Sequence, residues 1–389
     1  MNQSKFLEKV LIVLLLLGIA LTGGTARLRP EAAPVMPTPG AVDTRPPAPT
    51  ENLGQESPPP VTPELDPTPP PTPTPTPEPV RYIMHFVGDC TLASSVYYQG
   101  SASGYDTFVN GDFSYPFGAT VQYFTDDDFT MANCEVSLTT ATKATNKTFT
   151  FKADPDYAQI FPAGSVEFVT LANNHVLDYG QTGYDDTKAA LDAVGVAYAG
   201  RDEWCLYQTE KGMVIGVYAV SFGSLDQIKK GVAAVREAGA DFVIAALHFG
   251  DEGSYRVNAD QRAQAHAAID AGADFVYGSH AHTLQPTEEY QGKYIYYSMG
   301  NWTFGGNTNP RDKDTFILRL TVEQDADGTV RVTEREHIPC ASSGRTDLND
   351  YRPVPYEEDS EGWKRVLSKL DGSFTGANLN IGYGYTANE

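Results

Sequence analysis

A long proline-rich stretch divides this chain into a part that cannot form a globular fold and a part that can. Residues 30–79 contain 19 of the 27 prolines and include a run of alternating threonine and proline. Proline fixes the backbone angle φ and lacks an amide hydrogen, so such a stretch builds neither helices nor sheet ladders. We expect residues 27–80 to be a disordered, semi-rigid linker that reaches at most about 150 Å at ~3.1 Å per residue. Any globular fold is therefore confined to residues 81–389.

The first 26 residues are typical of an export signal. Lys5 and Lys9 precede an uncharged stretch at residues 10–22, and small residues follow it. Positive charge, a short apolar run and small residues in this order are the pattern of a signal peptide, and the run is shorter than the roughly 18–20 residues that cross a bilayer. The sequence leaves open whether residues 1–26 are a cleaved signal or a retained membrane anchor. In both cases we expect the rest of the chain outside the cytoplasm, on the cell-wall side.

The charge balance excludes one large class of function. The chain has 50 acidic and 28 basic residues, and its formal net charge is −22. Nucleic-acid binding requires a basic face for the phosphate backbone, so we expect no nucleic-acid partner. The four cysteines, Cys90, Cys134, Cys205 and Cys340, do not have the paired spacing of a thiolate zinc site. Disulfides and buried free thiols both remain open in an exported protein.

Residues 81–340 alternate between strand-type and helix-type patterns and then become rich in strands. The predicted strands are residues 82–87, 129–135, 167–172, 196–199, 213–220, 242–247, 275–277, 294–299, 315–322 and 330–337. The predicted helices are residues 186–194, 225–238, 260–271 and 361–370, with Gly239 and Gly272 as C-caps of the second and third. This order favours an α/β domain with mixed sheets, whose last three strands are antiparallel. Residues 341–389 are expected to be a C-terminal extension that packs on the domain or trails from it.

The most specific motif is at residues 173–178, where two asparagines, a histidine and an aspartate follow the apolar run 168–171. Asp178 lies three residues after His175 and shares a face with it if one helical turn forms. Its carboxylate could then accept a hydrogen bond from the imidazole and fix the tautomer, as metal-site and catalytic histidines require. Gly180 can release the chain through a left-handed backbone conformation. An asparagine turn with a capping histidine is the alternative.

Three further histidines follow strands of the buried type. His248 ends the run 242–247, and His280 and His282 follow the run 275–279 with one residue between them. Alternate residues of an extended segment point the same way, so we expect both imidazoles of this pair to face one ion. Satisfied core histidines are the alternative. His85, His266 and His337 lack this context and are interpreted as structural.

Two carboxylates complete the pattern at the ends of the first two predicted strands. Asp89 follows the first strand after a glycine, and Glu135 ends the second. Carboxyl ends of strands form the usual ligand-binding edge of α/β folds. An ordinary turn aspartate and a surface glutamate are the alternatives. Carboxylate, amide and imidazole ligands together suit Zn, Mn or Fe, an ion that would polarise a substrate oxygen and activate water.

In this order the motifs resemble the poly-γ-glutamate capsule biosynthesis family (CapA/PgsA-like), whose fold is similar to that of the calcineurin-like metallophosphoesterases. The matching segments are VGD at 87–89, NCE at 133–135, NNHVLDYG at 173–180, HFGDE at 248–252, GSHAHTLQP at 278–286 and YSMGN at 297–301. They span residues 81 to about 305, and the segments at 173–180 and 278–286 are the most specific.

The resemblance implies a four-layer α/β/β/α sandwich, attachment to the membrane outside the cytoplasm, and an anionic cell-surface polymer such as poly-γ-glutamate as partner. It implies one or two divalent ions held by Asp89, Glu135, Asn174, His248, His280 and His282. It further implies His175 as the catalytic imidazole, and we group Asp178 and Glu252 with it as the predicted catalytic residues.

The chain departs from the wider family pattern at two positions. Thr91 stands where the phosphoesterase pattern has a histidine, which bears on whether the centre holds one ion or two. Gly253 and Ser254 separate Glu252 from Tyr255, whereas the family tends to have the tyrosine directly after that carboxylate. The wall of the pocket near Glu252 is therefore expected to differ from that of the family.

Three functions are compatible with these residues. The first is a metal-dependent hydrolase or transferase that acts on a cell-surface polymer during capsule synthesis or processing. The second is a non-catalytic scaffold that works with the subunits of a polymer synthesis or export complex. The third is a phosphodiesterase unrelated to capsule.

Overall fold

The structure, a computed structural model, describes residues 77–379, which belong to one compact unit that begins at Pro77. The predicted signal or anchor, and the linker up to residue 76, lie outside the described residues. Regular structure begins at Val80, one residue before the predicted domain boundary. Within residues 77–379 there is no helix with the length and apolar character that a membrane span requires.

The larger of the two main sheets has eight strands, and its centre is the first strand, β1. Its strands are β1 (Val80–Thr91), β2 (Phe129–Cys134), β5 (Phe168–Thr170), β6 (Ala197–Ala199), β13 (Asn301–Phe304), β14 (Asp314–Gln324), β15 (Val330–Ala341) and β16 (Val354–Pro355). The order is β16-β15-β14-β1-β2-β5-β6, and β13 pairs with the end of β1. β1, β2, β5 and β6 run parallel, whereas β14, β15 and β16 form an antiparallel edge. The carboxyl ends of β1, β2 and β5 therefore lie at the same edge.

The smaller main sheet has six strands in the order β11-β12-β10-β9-β8-β7. Its strands are β7 (Glu203–Gln208), β8 (Val214–Ser221), β9 (Phe242–His248), β10 (Phe275–Ser279), β11 (Thr287–Tyr290) and β12 (Lys293–Tyr296). β8, β9, β10 and β12 are parallel, and β12 also pairs antiparallel with β11. β14 and β15 lie in the other sheet, so the prediction that β12 forms an antiparallel set with them is wrong. A short pair, β3 (Ser137–Leu138) and β4 (Lys152–Ala153), lies apart from both sheets.

Within residues 77–379, six α-helices connect or cover the strands. They are α1 (Tyr105–Val109), α2 (Ile160–Ala163), α3 (Gly180–Val194), α4 (Leu225–Glu237), α5 (Ala259–Asp270) and α6 (Glu361–Leu370). Ser224 and Asn258 start α4 and α5 with capping boxes, in which the cap side chain accepts from the third helical amide and a glutamine returns a bond. Such a box satisfies two otherwise unpaired amides. Gly239 and Gly272 follow these helices with positive φ, as predicted.

Apolar side chains form three buried clusters. One lies on the outer face of each main sheet, and the third lies between the two sheets. Met84 and Phe86 of β1 pack between the sheets with Val217 of β8. On the other face of the larger sheet, the cluster includes Leu191 of α3. Against the outer face of the smaller sheet lies the cluster with Ile228 of α4. Alternation along β1 thus divides its side chains between two cores.

Residues beyond the predicted boundary at 340 are part of the packed domain. β15 continues to Ala341, and Val366 and Leu370 of α6 are buried in the cluster between the sheets. All four cysteines are free thiols. Cys90 and Cys134 are register neighbours on β1 and β2, and both are fully buried.

Candidate metal centre

Asp89 lies inside β1, and this corrects the prediction that it follows the strand. The strand continues to Thr91, with an irregular register between Phe86 and Asp89. Gly88 is required here because a Cβ at this position would lie 2.0 Å from the carbonyl oxygen of Gly300. The Asp89 amide donates to that same carbonyl at 2.8 Å. The close approach of the two backbones therefore fixes Asp89, whose side chain is fully buried.

Asn133 joins the two carboxylates of the site, a role that the sequence did not reveal. Its amide nitrogen donates to Asp89 Oδ1 at 2.8 Å and lies 3.3 Å from Glu135 Oε2. Asn173 in turn donates to Asn133 Oδ1 at 3.0 Å, which sets the orientation of that amide. One oxygen of each carboxylate is thereby satisfied. The other oxygens, Asp89 Oδ2 and Glu135 Oε1, are buried without a hydrogen-bond partner.

His175 and Asp178 form the predicted pair, with His175 Nδ1 2.7 Å from Asp178 Oδ2. The Phe151 amide donates to the same oxygen at 2.7 Å. Lys147 donates to Asp178 Oδ1 and to the carbonyl oxygen of Asn174, each at 2.6 Å. Asp178 is thus held from three sides and orients the imidazole. Sequence reasoning missed Lys147, since nothing local marks a lysine 31 positions away as its partner.

Asn174 and His248 meet across the two sheets. The Asn174 Oδ1 atom is 2.9 Å from His248 Nε2. His248 is the last residue of β9, and its Nδ1 is 2.9 Å from the hydroxyl of Ser279, its register neighbour on β10. His248 Nε2 is also 3.7 Å from Glu135 Oε1. The ends of β2, β5 and β9 therefore deliver three of the predicted ligands to one place.

His280 and His282 reach the site, but by a different backbone path from the one predicted. The segment after β10 is not extended, because His280 has φ 93° and His282 has φ 56°. Positive φ is uncommon for residues other than glycine and is often found at functional sites. The two ring centroids are 6.1 Å apart. His282 Nδ1 is 2.9 Å from Asn301 Oδ1 and 3.2 Å from Asp89 Oδ2.

Ligand-type atoms of six residues lie within 4.8 Å of one another in three overlapping sets. The sets are Glu135 with His248 and His280, Asp89 with Glu135 and His282, and Glu252 with His280 and His282. Each set shares at least one member with another, so they form one site. Glu252 is the exposed member, on the loop after β9. Asn174 joins the same site through His248, and Thr91, fully buried in β1, supplies no imidazole.

The pKa values follow from burial and from crowding of the carboxylates. Burial, together with the nearby Asp89, raises the pKa of Glu135 well above its usual value. Burial lowers the pKa of His248 well below its usual value, and that of His280 to about 3. Burial alone would lower the pKa of His282, but the carboxylates of Glu135 and Asp89 raise it to about 10. The shifts of Glu135 and His282 both reflect crowded carboxylates, whose charged forms a bound cation would stabilise.

The donor set fits a transition metal. Asp89 Oδ2, Glu135 Oε1 and His280 Nδ1 are all buried and without a hydrogen-bond partner. Leaving such groups unpaired costs about 1–3 kcal/mol each, and more when they are charged. Buried carboxylate oxygens and neutral imidazole nitrogens are ligands that Zn, Mn and Fe accept.

Aromatic rings line the histidines of the site. Phe151 lies edge-on to His175 with ring centroids 4.6 Å apart, and Phe304 is 4.7 Å from His282. Phe222 lies edge-on to His280 at 4.8 Å, has φ 49°, and remains 55% exposed. These rings limit the directions from which a substrate can approach.

The remaining histidines lie outside the site, in agreement with the sequence. His85 contacts Asp127, His266 contacts Glu288, and the hydroxyl of Tyr296 contacts His337. None of the three belongs to the sets of clustered ligand atoms among the described residues.

The chain belongs to a family of capsule proteins. The model of the family "Bacterial capsule synthesis protein PGA_cap" matches residues 83–306, which contain every residue of the site. The resemblance found in the sequence is thereby confirmed.

Part of the chain is similar to proteins of several bacteria. "PGA biosynthesis protein CapA" of Bacillus subtilis (strain 168) is 29% identical over 59% of this chain and 63% of its own length. "Capsule biosynthesis protein CapA" of Bacillus anthracis is 27% identical over 52% of this chain and 57% of its own. A "Probable polyglutamine synthesis accessory protein" of Mycobacterium tuberculosis (strain ATCC 25618 / H37Rv) is 27% identical over 60% of this chain and 74% of its own. The chain therefore spans less than two thirds of the first two relatives.

Among solved structures, the NAD nucleotidase of Haemophilus influenzae is 11% identical, with a TM-score of 0.38 over 77% of this chain and 57% of that chain. A score this low does not by itself establish a shared fold.

Proposed function

We propose that the protein is a metal-dependent hydrolase or transferase that acts on an anionic capsule polymer of the poly-γ-glutamate type during its synthesis or processing. Family membership and the names of its relatives support the link to capsule. The site supports the metal-dependent chemistry. The proposal extends to attachment outside the cytoplasm through residues 1–26 and the linker, and to contact with subunits of a capsule synthesis complex.

One observation carries the proposal, namely the convergence of buried ligand atoms that have no hydrogen-bond partner. Asp89 Oδ2, Glu135 Oε1 and His280 Nδ1 belong to the overlapping sets described above. Folding does not leave several charged or polar atoms unpaired in one place without a compensating ligand. A divalent cation is the ligand that satisfies carboxylates and imidazoles together. It would also offset the negative charge that otherwise repels an anionic polymer.

The metal would be held by six predicted ligands, to which the geometry adds Glu252. The six are Asp89, Glu135, Asn174, His248, His280 and His282. When bound, such an ion supplies Lewis-acid polarisation of a substrate oxygen and a lowered pKa of water. Asn133, Ser279 and Asn301 orient the ligands through the hydrogen bonds described above.

His175 is positioned to transfer a proton. Its Nδ1 is occupied by Asp178, which leaves Nε2 as the nitrogen that exchanges a proton with the substrate. Nε2 donates to a leaving group when the ring is protonated and accepts a proton when the ring is neutral. Its ring is largely buried, and burial lowers its pKa although Asp178 opposes this effect. Lys147 and the Phe151 amide keep Asp178 in place. General acid catalysis of this kind contributes about 10²–10⁴-fold to a rate.

The resemblance also implies a four-layer α/β/β/α sandwich, and we include that arrangement in the proposal. The three buried clusters support it, because helices pack on the outer face of each main sheet while the inner faces share one core.

The test begins with protein purified without chelator, in which bound metal is measured by elemental analysis. Poly-γ-glutamate is then incubated with the protein, and the polymer length is followed on a gel. We expect stoichiometric transition metal, a change in polymer length, and a loss of about 10²–10⁴-fold in rate in His175→Ala. His266→Ala is the matched control, since that imidazole lies outside the site. Protein without metal or turnover would instead favour a non-catalytic scaffold.

A further inference from the structure

The loop that carries Glu252 is held between the site and the end of the described chain. On the site side, the Gly253 amide donates to the carbonyl oxygen of Ala281 at 2.8 Å. The side chains of Thr283 and Gln285 donate to the carbonyl oxygen of Ser254 at 2.9 and 3.0 Å. These bonds connect the loop to the segment that contains His280 and His282. They do not restrain its outer side.

The outer side is restrained by residues 378 and 379. The Leu379 amide donates to the Gly253 carbonyl oxygen at 2.9 Å. The Asn378 side chain accepts from the Tyr255 amide at 3.1 Å through Oδ1 and donates to the Ser254 hydroxyl at 3.2 Å. The side chain of Asn378 thus bonds to the hydroxyl of Ser254 and to the backbone amide of Tyr255, the two residues that follow Gly253. It also accepts from Arg256, at 3.2 Å.

The tail itself is anchored by a buried ion cluster next to α6. This cluster, which we call the Asp314 ion cluster, consists of Asp312, Asp314, Arg365 and Lys369. Lys369 is only 2% exposed and donates to Asp312 and Asp314, each at 2.7 Å, while Arg365 makes two bonds of 2.6 Å to Asp314. The side chains of Asp312, Asp314 and Lys369 are buried, so each of these charges depends on its partners, whereas Arg365 is 43% exposed.

Tyr255 connects the ion cluster to the Glu252 loop. Its hydroxyl donates to Asp312 at 2.9 Å, and its ring packs edge-on against Phe374 with centroids 4.9 Å apart. The ammonium of Lys369 lies 4.8 Å from the Tyr255 ring and 5.1 Å from that of Phe374. The two-residue spacing between Glu252 and Tyr255, which departs from the family pattern, thus places the tyrosine in contact with the tail.

We propose that the C-terminal segment 361–379 is a positioning element for Glu252 and thereby sets the metal affinity of the site; this rests on the proposed metal centre. Glu252 is exposed. Besides bonds within residues 251–258, its loop is held by hydrogen bonds to residues 281–285 on one side and to residues 378–379 on the other. A carboxylate on an unrestrained loop would lose conformational entropy on binding a metal, so the restraint favours binding. The segment lies outside residues 83–306, the part that matches the family.

The experiment compares Asn378→Ala with wild type after metal removal by chelator, using Mn²⁺ alone as the probe in calorimetric titration. Loss of an outer-shell contact typically weakens metal affinity 10–100-fold, and we expect about tenfold for Asn378→Ala. Asn378→Asp retains an acceptor for Tyr255 and Arg256, so it should restore near wild-type affinity. Ser368→Ala, on α6 without a contact to the loop, is the matched control. A chain that ends at Gly372 should show the larger effect.

A double-mutant cycle separates positioning of Glu252 from general weakening of the fold. In Glu252→Gln, the carboxylate is absent, so adding Asn378→Ala should leave the Mn²⁺ affinity almost unchanged. Wild-type affinity in Asn378→Ala, or the full tenfold loss in the Glu252→Gln background, would overturn the proposal.

Hydrogen exchange of metal-free protein gives a second readout that does not depend on metal. Amides of residues 250–256 should exchange faster in Asn378→Ala than in wild type, and equal exchange would overturn the restraint. If wild type binds no Mn²⁺ while the exchange still differs, the proposed metal function fails together with the affinity effect, and the restraint of the loop stands.

Discussion

Two groups of charged side chains in this domain differ in how their charges are compensated. In the Asp314 ion cluster, two carboxylates face an ammonium and a guanidinium, and each charge has a partner within hydrogen-bond distance. In the metal centre, Asp89 and Glu135 face each other across Asn133, and the second oxygen of each carboxylate accepts no hydrogen bond, with His282 Nδ1 3.2 Å from Asp89 Oδ2. Asp314 and Lys369 of the first group are buried, as are Asp89 and Glu135 of the second, so the difference between them does not come from solvent.

The contrast distinguishes charges that stabilise the fold from charges that can bind a ligand. Hydrogen bonds from Arg365 and the charge of Lys369 hold the pKa of Asp314 below its usual value, against the effect of burial. Burial and the neighbouring carboxylate raise that of Glu135. A group whose charged form is stabilised by its partners serves the fold. A side chain whose charged form is destabilised, such as Glu135, can be stabilised by a cation that binds from outside the chain.

The largest expected effect comes from removing one charge of the paired group. Asp314→Asn leaves Lys369 and Arg365 without their shared carboxylate, which should cost about 3–5 kcal/mol in the free energy of unfolding, measured by urea denaturation. Because the folded pKa of Asp314 is lowered, its contribution is present above 3.8 and lost as pH falls below that value. The difference between variant and wild type should therefore shrink in acid. Glu336→Gln, in an exposed ion pair, should behave as wild type.

Mn²⁺ should stabilise the protein through the metal centre and not through the Asp314 ion cluster. At a free Mn²⁺ concentration of about 100 times the dissociation constant, the free energy of unfolding should rise by about 2.7 kcal/mol. Thermal melting with and without Mn²⁺ measures this rise. It should persist in Glu336→Gln and vanish in His280→Ala. An equal rise in His280→Ala would mean that Mn²⁺ binds elsewhere, and the metal centre would then not differ from the Asp314 ion cluster in this respect.

Lys147 tests whether one lysine contributes to the otherwise acidic site. Lys147→Met removes a bond to Asp178 and a bond to the Asn174 carbonyl, so His175 loses part of its support. We expect a loss of about 10–100-fold in polymer turnover, as for other outer-shell contacts. Lys143→Met, on the same loop, is the control. Unchanged turnover in Lys147→Met would show that Asp178 keeps its place without the lysine.

The smallest expected effect has the opposite sign to the first. Glu135→Gln removes a crowded negative charge, so the metal-free protein should gain about 0.5–2 kcal/mol in the free energy of unfolding, in the range of other stabilising substitutions. Urea denaturation after chelator treatment measures the gain. A loss of stability would mean that Glu135 is compensated within the chain, like Asp314.

The sequence predicted most of the site because its signals are local. His175 and Asp178 are three residues apart, and His248, His280 and Glu135 each end an apolar run. Within each sheet, parallel strands bring such residues to the same edge, and the packing of the two sheets then brings the two edges together. The two sheets were also predictable as an α/β arrangement, although β7, β11, β13 and β16 were missed. β7 and β11 are half exposed or polar, so they lack the continuous apolar pattern of a buried strand.

The rest depends on contacts between distant parts of the chain. Asn133 is conspicuous in sequence, but only the approach of β1 to β2 gives it both carboxylates. The positive φ of His280 and His282 results from tertiary packing and contradicts the alternation expected of an extended segment. Asn378 lies more than a hundred residues from its partner Tyr255. No local pattern identifies such a pair.

The position of the site at the end of β1 has a practical consequence. From Val80 to Asp89 the strand covers about 30 Å at ~3.3 Å per residue, so the chain enters the domain at one end of the strand and the site opens at the other. Attaching the domain to a bead or sensor at Pro77 would therefore keep the fixed point well away from the ligands. Long polymers could be offered to the site in that format without competition from the support.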